Sequence, residues 1–151
     1  MVKFSIIIPV RELNDFIRRF VPIILQQSFQ DFEIIILPNE DSGEKFKKTH
    51  IIPSGNVGPA QKRDLGVRSS KGEIIAFIDD DAYPETHWLE KTLHHFADSE
   101  IGAVGGPNMT PPESNFFQHL SGDVLASPLV SGPFNYRYKK GRLISCEDLP
   151  S

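Results

Sequence analysis

Ile74-Ile75-Ala76-Phe77-Ile78-Asp79-Asp80-Asp81-Ala82-Tyr83-Pro84 is an apolar run that ends abruptly in three consecutive carboxylates. An unbroken apolar run of this length reads as a strand buried on both faces, the pattern of a parallel sheet. The switch to acid marks where the chain leaves the core. Three like charges on adjacent residues repel one another, and a hard divalent cation with oxygen ligands would relieve that repulsion. One or two of the carboxylates would ligate it, and a diphosphate would complete its shell. The plainer alternative is a solvated acidic turn that caps the next helix. From the residues alone the metal reading is the stronger of the two.

Upstream of this stretch, Lys71-Gly72 ends a helical pattern over 60–70, with Leu65 and Val67 expected to face inward. Residues 3–10 form a first buried strand ended by Pro9, 32–37 a second stopped by Pro38, and 49–52 a short third. Leu13, Phe16, Ile17, Phe20 and Ile24 recur at helical spacing over 13–27. Asn14 or Asp15 would cap that helix, and Pro22 would kink or break it. Downstream, 84–96 reads as a helix with Pro84 in its first turn and Trp88, Leu89, Leu93 and Phe96 along its buried face. Residues 101–105 read as a fifth strand. A Ser-, Gly- and Pro-rich region follows, with a short helix over 116–120 and strand-like pieces at 134–138 and 142–145.

Strands alternating with helices of this length imply an α/β fold, a mostly parallel sheet with right-handed crossovers. Ligands of such sheets sit at the carboxyl ends of the strands. Pro9-Val10-Arg11, Pro38-Asn39-Glu40-Asp41 and Asp79-Asp80-Asp81 are therefore expected on one rim.

The 151 residues suit one domain with a real core, divided as 1–106 and 107–151 where the pattern changes. A net charge of −4 argues against a nucleic-acid binder, which needs an excess of Lys and Arg to neutralise phosphates. Cys146 is the one cysteine, so no internal disulfide forms, and it has no partner His in a recognisable motif. No apolar run reaches the roughly 20 residues needed to span a bilayer, and the first residues lack a signal-peptide core, so the expected location is the cytoplasm.

Asn56-Val57-Gly58-Pro59-Ala60-Gln61-Lys62-Arg63 is a glycine-containing entry into a helix with two basic residues in its first turns. A helix N-terminus with an Arg suits an anionic ligand. Taken alone, an exposed helix start explains it as well or better. Gly105-Gly106-Pro107 is either a close approach of backbone to a sugar or acceptor, or simply a tight turn. Tyr136-Arg137-Tyr138-Lys139-Lys140-Gly141-Arg142 reads first as a solvated hairpin. Its second reading is a face for an anionic acceptor or a membrane surface, which would give peripheral membrane association. His94 and His95 point to different helix faces, and the other histidines are isolated.

The order of these pieces resembles the family 2 glycosyltransferases, which have the Rossmann-like glycosyltransferase-A fold. The matching pieces are Ser5-Ile6-Ile7-Ile8-Pro9-Val10, Glu33-Ile34-Ile35-Ile36, the helix carrying Lys62, Arg63, Asp64 and Gly66, Lys71-Gly72-Glu73, Asp79-Asp80-Asp81, Pro84 and Trp88-Leu89-Glu90. The resemblance covers at least residues 3–106. It implies that Pro9, Val10 and Arg11 line a base and ribose pocket, and that Arg63 approaches the nucleotide or its phosphates. Asp79 and Asp80 would hold ribose and order a metal site, in which Asp81, with Asp79, holds Mn²⁺ or Mg²⁺. Asn39 stands where the family has the acidic residue that binds the base, with Glu40 and Asp41 displaced, so the donor need not be a uridine nucleotide. The implied activity is inverting transfer of a sugar from a nucleotide-diphospho-sugar to a saccharide or lipid-linked acceptor. The family's catalytic base is an Asp or Glu in a later segment, expected beyond Ser151; within the sequence Asp148, then Asp123, are the candidates. Two other functions compete. One is an Asp-dependent phosphotransferase, whose motif usually ends the first strand of its domain. The other is a nucleotide-binding fragment without turnover.

Overall fold

The computed structural model describes residues 2–112 and 114–139, the side chain of Tyr136 excepted. The expected strand at 142–145, Cys146, Glu147 and Asp148 lie outside them. The chain divides into two compact units, Met1–Ile101 and Gly102–Ser151.

The first unit holds a four-stranded parallel sheet of β1 (Phe4–Pro9), β2 (Phe32–Leu37), β3 (Thr49–Ile51) and β4 (Ile74–Phe77), in the order β3-β2-β1-β4. Side chains alternate across it with a period of two. Phe4, Ile6 and Ile8 of β1 and Phe32, Ile34 and Ile36 of β2 pack on one face against Ile17, Phe20, Val21 and Ile24 of α1 (Asp15–Ile24). Leu89 of α3 (Trp88–His95) is fully buried in the same cluster, with Trp88 and Leu93 half-buried against it. On the other face Ile7, Ile35 and Leu37 meet Leu65 of α2 (Pro59–Ser69). The unit is thus a sheet between two helical layers.

Local chemistry sets the element ends. The Asn14 carboxamide caps α1 by accepting from the Ile17 N–H at 3.0 Å. Pro22 sits inside α1 without breaking it: it cannot donate to the Arg18 carbonyl, yet the helix runs on to Ile24. Gly66 lets α2 lie against β1: a Cβ there would come within 2.6 Å of Ile7 Cγ2. That contact fixes the face of α2 toward the sheet, which includes Lys62 one turn earlier. Val67, expected inward, is rotated off this face and is 43% exposed.

Two strand expectations fail. β4 is not buried on both faces but forms the edge of the described sheet, with Phe77 half exposed. Residues 101–105 carry no strand; with Gly102 and Gly105 among five residues they present little side chain to pack.

In the second unit, Asn115 and Gln118 form a reciprocal capping box that starts α4 (Phe116–Ala126), longer than expected. A short α5 (Pro128–Ser131) follows. Residues 134–138, expected as strand, lie in a 3-10 helix over Gly132–Tyr138, opened by Gly132 at φ 51° and Pro133. Phe116, Phe117 and Leu129 are largely exposed. No helix among the described residues is long and apolar enough to cross a membrane.

Candidate functional site

From β1 the chain proceeds outward to β2 and β3, then crosses to β4 on the other side of β1. The order therefore reverses between β1 and β4, and ligands of open α/β sheets bind in the crevice at the carboxyl ends of the strands at such a switch point. Asp79, Asp80 and Asp81 stand there, following β4. The Ala82 N–H donates to the Asp79 carbonyl at 3.2 Å, which folds the acidic segment into a tight turn.

The three carboxylates have different surroundings. Asp79 Oδ1 accepts from Arg63 Nη2 at 3.1 Å, so the first turns of α2 supply a cation to the crevice. Asp80 Oδ2 accepts from Asn14 Nδ2 at 2.8 Å. Asn14 thereby works twice, its oxygen capping α1 and its amide nitrogen holding Asp80. Asp81 is exposed and has no side-chain partner among the described residues. Among those residues no three His, Cys, Asp or Glu side chains form a cluster that would hold a metal ion by themselves.

Lys62 is the neighbour of Arg63 but has a different environment. It is only 4% exposed. Its Nζ donates to the Val10 carbonyl at 2.5 Å, the Leu37 carbonyl at 3.1 Å and Asn39 Oδ1 at 2.6 Å. Burial holds its pKa below the usual lysine value. The ammonium thus ties the ends of β1 and β2 together at the rim. The Asn39 backbone is also held from both sides: its N–H donates to the Arg11 carbonyl at 3.0 Å, and its carbonyl accepts from the Gly55 N–H at 3.0 Å.

Beside Asn39 lies a cavity of about 430 Å³ between the loops that follow β1 and β2, bounded by Arg11, Leu13, Arg18, Asn39, Asp41 and Glu44. A second cavity of about 520 Å³, in the other unit, runs from Met109 and Thr110 to Phe117 and Leu125 and carries no ionisable carboxylate.

The family model described as Glycosyl transferase family 2 matches residues 5–148. This chain belongs to glycosyl transferase family 2. Relatives of the family 2 chain include GlyA of Streptococcus pneumoniae serotype 4, 25% identical over 135 residues, which span 80% of this chain and 19% of GlyA. EpsJ of Bacillus subtilis, an uncharacterised glycosyltransferase, is 24% identical over 111 residues, 67% of this chain and 32% of EpsJ. The chain thus spans a third or less of the length of these two relatives. Among solved structures, S. aureus TarS superposes with a TM-score of 0.56 at 19% identity, covering 74% of this chain and 24% of TarS. TarS 1–349 in complex with UDP-GlcNAc matches equally well, at 0.56 over 74% of this chain and 38% of that one. The glycosyltransferase-A fold expected from the sequence is the fold observed.

Of the residues singled out in this family 2 chain, the structure places Val10, Arg11, Asn39, Arg63 and Asp79–Asp81 on one rim, with Pro9 ending β1 just behind them. Lys62 departs from expectation. The sequence reads it as part of an exposed helix start, yet it is buried and its three N–H bonds all go to protein acceptors. The sequence marks Asn14 only as a cap, and its bond to Asp80 has no signal in a single sequence. Asp123 is exposed on α4 of the second unit, and Asp148 lies outside the described residues.

Proposed function

We propose that this family 2 chain carries the donor-binding part of an inverting glycosyltransferase, taking a nucleotide-diphospho-sugar together with Mn²⁺ or Mg²⁺. The observation that carries this is the division of labour in the acidic turn: Arg63 holds Asp79, Asn14 holds Asp80, and Asp81 is left open to the crevice. A solvated helix cap would need neither anchor. Family membership supports sugar transfer, and the matching structure of TarS 1–349 with UDP-GlcNAc supports a nucleotide-sugar donor.

The donor set suits a hard cation, since it offers carboxylate oxygens. Asp81 would hold the ion, with Asp79 through the oxygen that Arg63 does not take. Bound there, a doubly charged ion supplies charge neutralisation for the departing diphosphate. Arg63 adds a fixed positive charge beside the same group. Asp80, held in place by Asn14, offers its other oxygen to a ribose hydroxyl. Pro9, Val10 and Arg11 wall the nucleoside side of the crevice.

In the transfer, an acceptor hydroxyl of a saccharide or lipid-linked acceptor attacks the anomeric carbon as the bond to the diphosphate oxygen breaks. The configuration inverts, and a carboxylate base takes the hydroxyl proton. That base belongs to the acceptor side, in a segment later than the described residues. A cytoplasmic site at the inner face of a membrane fits a lipid-linked acceptor.

A thermal-shift series with nucleoside diphosphates, with and without Mn²⁺, tests the donor reading. We expect stabilisation that depends on the metal, about 2.7 kcal/mol at 100 times the dissociation constant. Asp81→Ala should keep the ligand-free Tm and lose the metal-dependent part. If the variant responds to metal and nucleotide as the parent does, the reading fails.

A further inference from the structure

We propose that Asn14 is a positioning residue for metal-dependent nucleotide binding: its amide sets the orientation of Asp80, a role separable from its capping of α1. This rests on the donor reading above and goes beyond it by assigning to the site the residue that starts α1.

A carboxamide carries an acceptor at one end and a two-proton donor at the other. Asn14 uses both ends. Its Oδ1 accepts from the Ile17 N–H at 3.0 Å, and its Nδ2 donates to Asp80 Oδ2 at 2.8 Å. The partners fix which way round the amide sits, because a backbone N–H only donates and a carboxylate only accepts. Turning the amide over would break both bonds at once. The cap of α1 and the anchor of Asp80 are therefore one planar group, half-buried like Asp80 itself.

Capping alone does not call for this residue. Asp and Ser cap a helix about as well as Asn. Neither does the second job. Asp would set a carboxylate against the Asp80 carboxylate, and a Ser hydroxyl ends one bond nearer the backbone than the amide nitrogen. Among the side chains that cap well, only Asn also carries N–H donors.

The acidic turn has a use for such an anchor. Asp80 is half-buried between the exposed Asp79 and Asp81. Adjacent like charges favour the rotamers that carry them farthest apart. Two helices oppose that drift from opposite faces of the sheet: Arg63 of α2 takes Asp79, and Asn14 of α1 takes Asp80. Asp80 thus meets a ligand with its rotamer already set. Without the Asn14 donor the side chain must be ordered on binding instead, which lowers affinity by about two- to tenfold.

The test is a series at one position: Asn14→Ser, Asn14→Gly and Asn14→Ala, each compared with the parent on the full chain. Ligand-free Tm is measured, and binding of UDP, CDP, GDP, ADP and dTDP in Mn²⁺ is followed by calorimetry. As caps the replacements rank Ser, then Gly, then Ala, so ligand-free Tm should fall in that order, with Asn14→Ser close to the parent. None of the three replacements supplies the amide donor. Affinity for the nucleotide that the parent binds best should therefore fall by the same factor in all three. A residue that only caps α1 would give another pattern, with affinity following Tm down the series. That pattern, or an Asn14→Ser that binds as the parent does, overturns the inference and leaves the donor reading standing. If Asn14→Ala does not fold, Ser and Gly still separate cap from anchor. If the folded parent binds none of these nucleotides with Mn²⁺, both readings are overturned.

Discussion

Glu33 shows how much a single residue in this chain can organise. It is 5% exposed, and its Oε1 accepts from Ser5 Oγ at 2.6 Å and from the Lys71 N–H at 2.7 Å. Ser5 Oγ in turn accepts from the Gly72 N–H at 2.8 Å. The turn between α2 and β4 is thus bolted to β1 and β2 at the end of the sheet opposite the rim. Glycine is required at 72 for a steric reason: a Cβ would lie 2.5 Å from the Ser5 nitrogen and 2.6 Å from the Phe4 carbonyl carbon, both backbone atoms that cannot step aside. Gly72→Ala should therefore destabilise by about 2 kcal/mol, or roughly 4–8 °C in Tm. An unchanged melting curve would show that the turn can shift freely. Lys71-Gly72-Glu73 is legible in the sequence as a helix end and a family match, but the reason for its glycine is not. The same holds for Lys62. Lysine is ordinarily a surface residue, and only the packing of Gly66 on Ile7 reveals that the position one turn earlier faces inward. The acidic turn is readable because three carboxylates after an apolar run have few explanations; its anchors Asn14 and Arg63 lie 66 and 16 residues from their partners, beyond local pattern.

At the level of elements, periodicity locates α1, α2 and α3 but not all their ends or faces. α3 starts at Trp88 rather than Pro84, because residues 82–85 run out of the acidic turn without helical bonding. The 3-10 helix at Gly132–Tyr138 is unreadable as such, since its aromatic residues suit a strand equally well. One element contact lends itself to titration. Arg18 on α1 donates from Nη2 and Nε to the two oxygens of Glu44 at 2.8 and 3.2 Å, and from Nη1 to Asp15 at 2.8 Å. This pair ties α1 to the loop after β2, beside the cavity near Asn39. The guanidinium bonds hold the Glu44 carboxyl below its ordinary value of 4.5. A carboxylate whose pKa is lowered on folding adds stability above its unfolded pKa and loses it as pH falls through the folded one. Tm should therefore fall more steeply below pH 4.5 in the parent than in Glu44→Gln, with the two curves parallel at neutral pH. Because the pair is solvent-exposed, the difference should be small and should shrink in high salt. A difference that grows as pH rises above neutrality would contradict this account.

For the whole molecule, the parallel sheet is legible from alternation of apolar runs and helices, and so is the rim on which the site sits. The width of the sheet is not. A fifth strand at 101–105 is the natural reading of the sequence, and its absence leaves β4 as an edge of the described sheet. Hydrogen exchange on the full chain can establish whether that edge is open in solution. In a parallel ladder, alternate residues of a strand bond to the same neighbour. The Ile74 N–H donates to the Lys3 carbonyl at 3.0 Å and the Ile78 N–H to the Ile7 carbonyl at 3.3 Å, so the N–H groups of Ile75 and Phe77 point away from β1. Phe77, 49% exposed, has no strand over it among the described residues. We expect the amides of central β1 and β2 to exchange most slowly, those of Ile74 and Ile78 at an intermediate rate, and those of Ile75 and Phe77 fastest in the sheet. Slow exchange at Ile75 and Phe77 would mean that a further strand pairs with β4. The turn carrying Asp79–Asp81 would then be supported from both sides, as a strand end inside a sheet rather than at its margin.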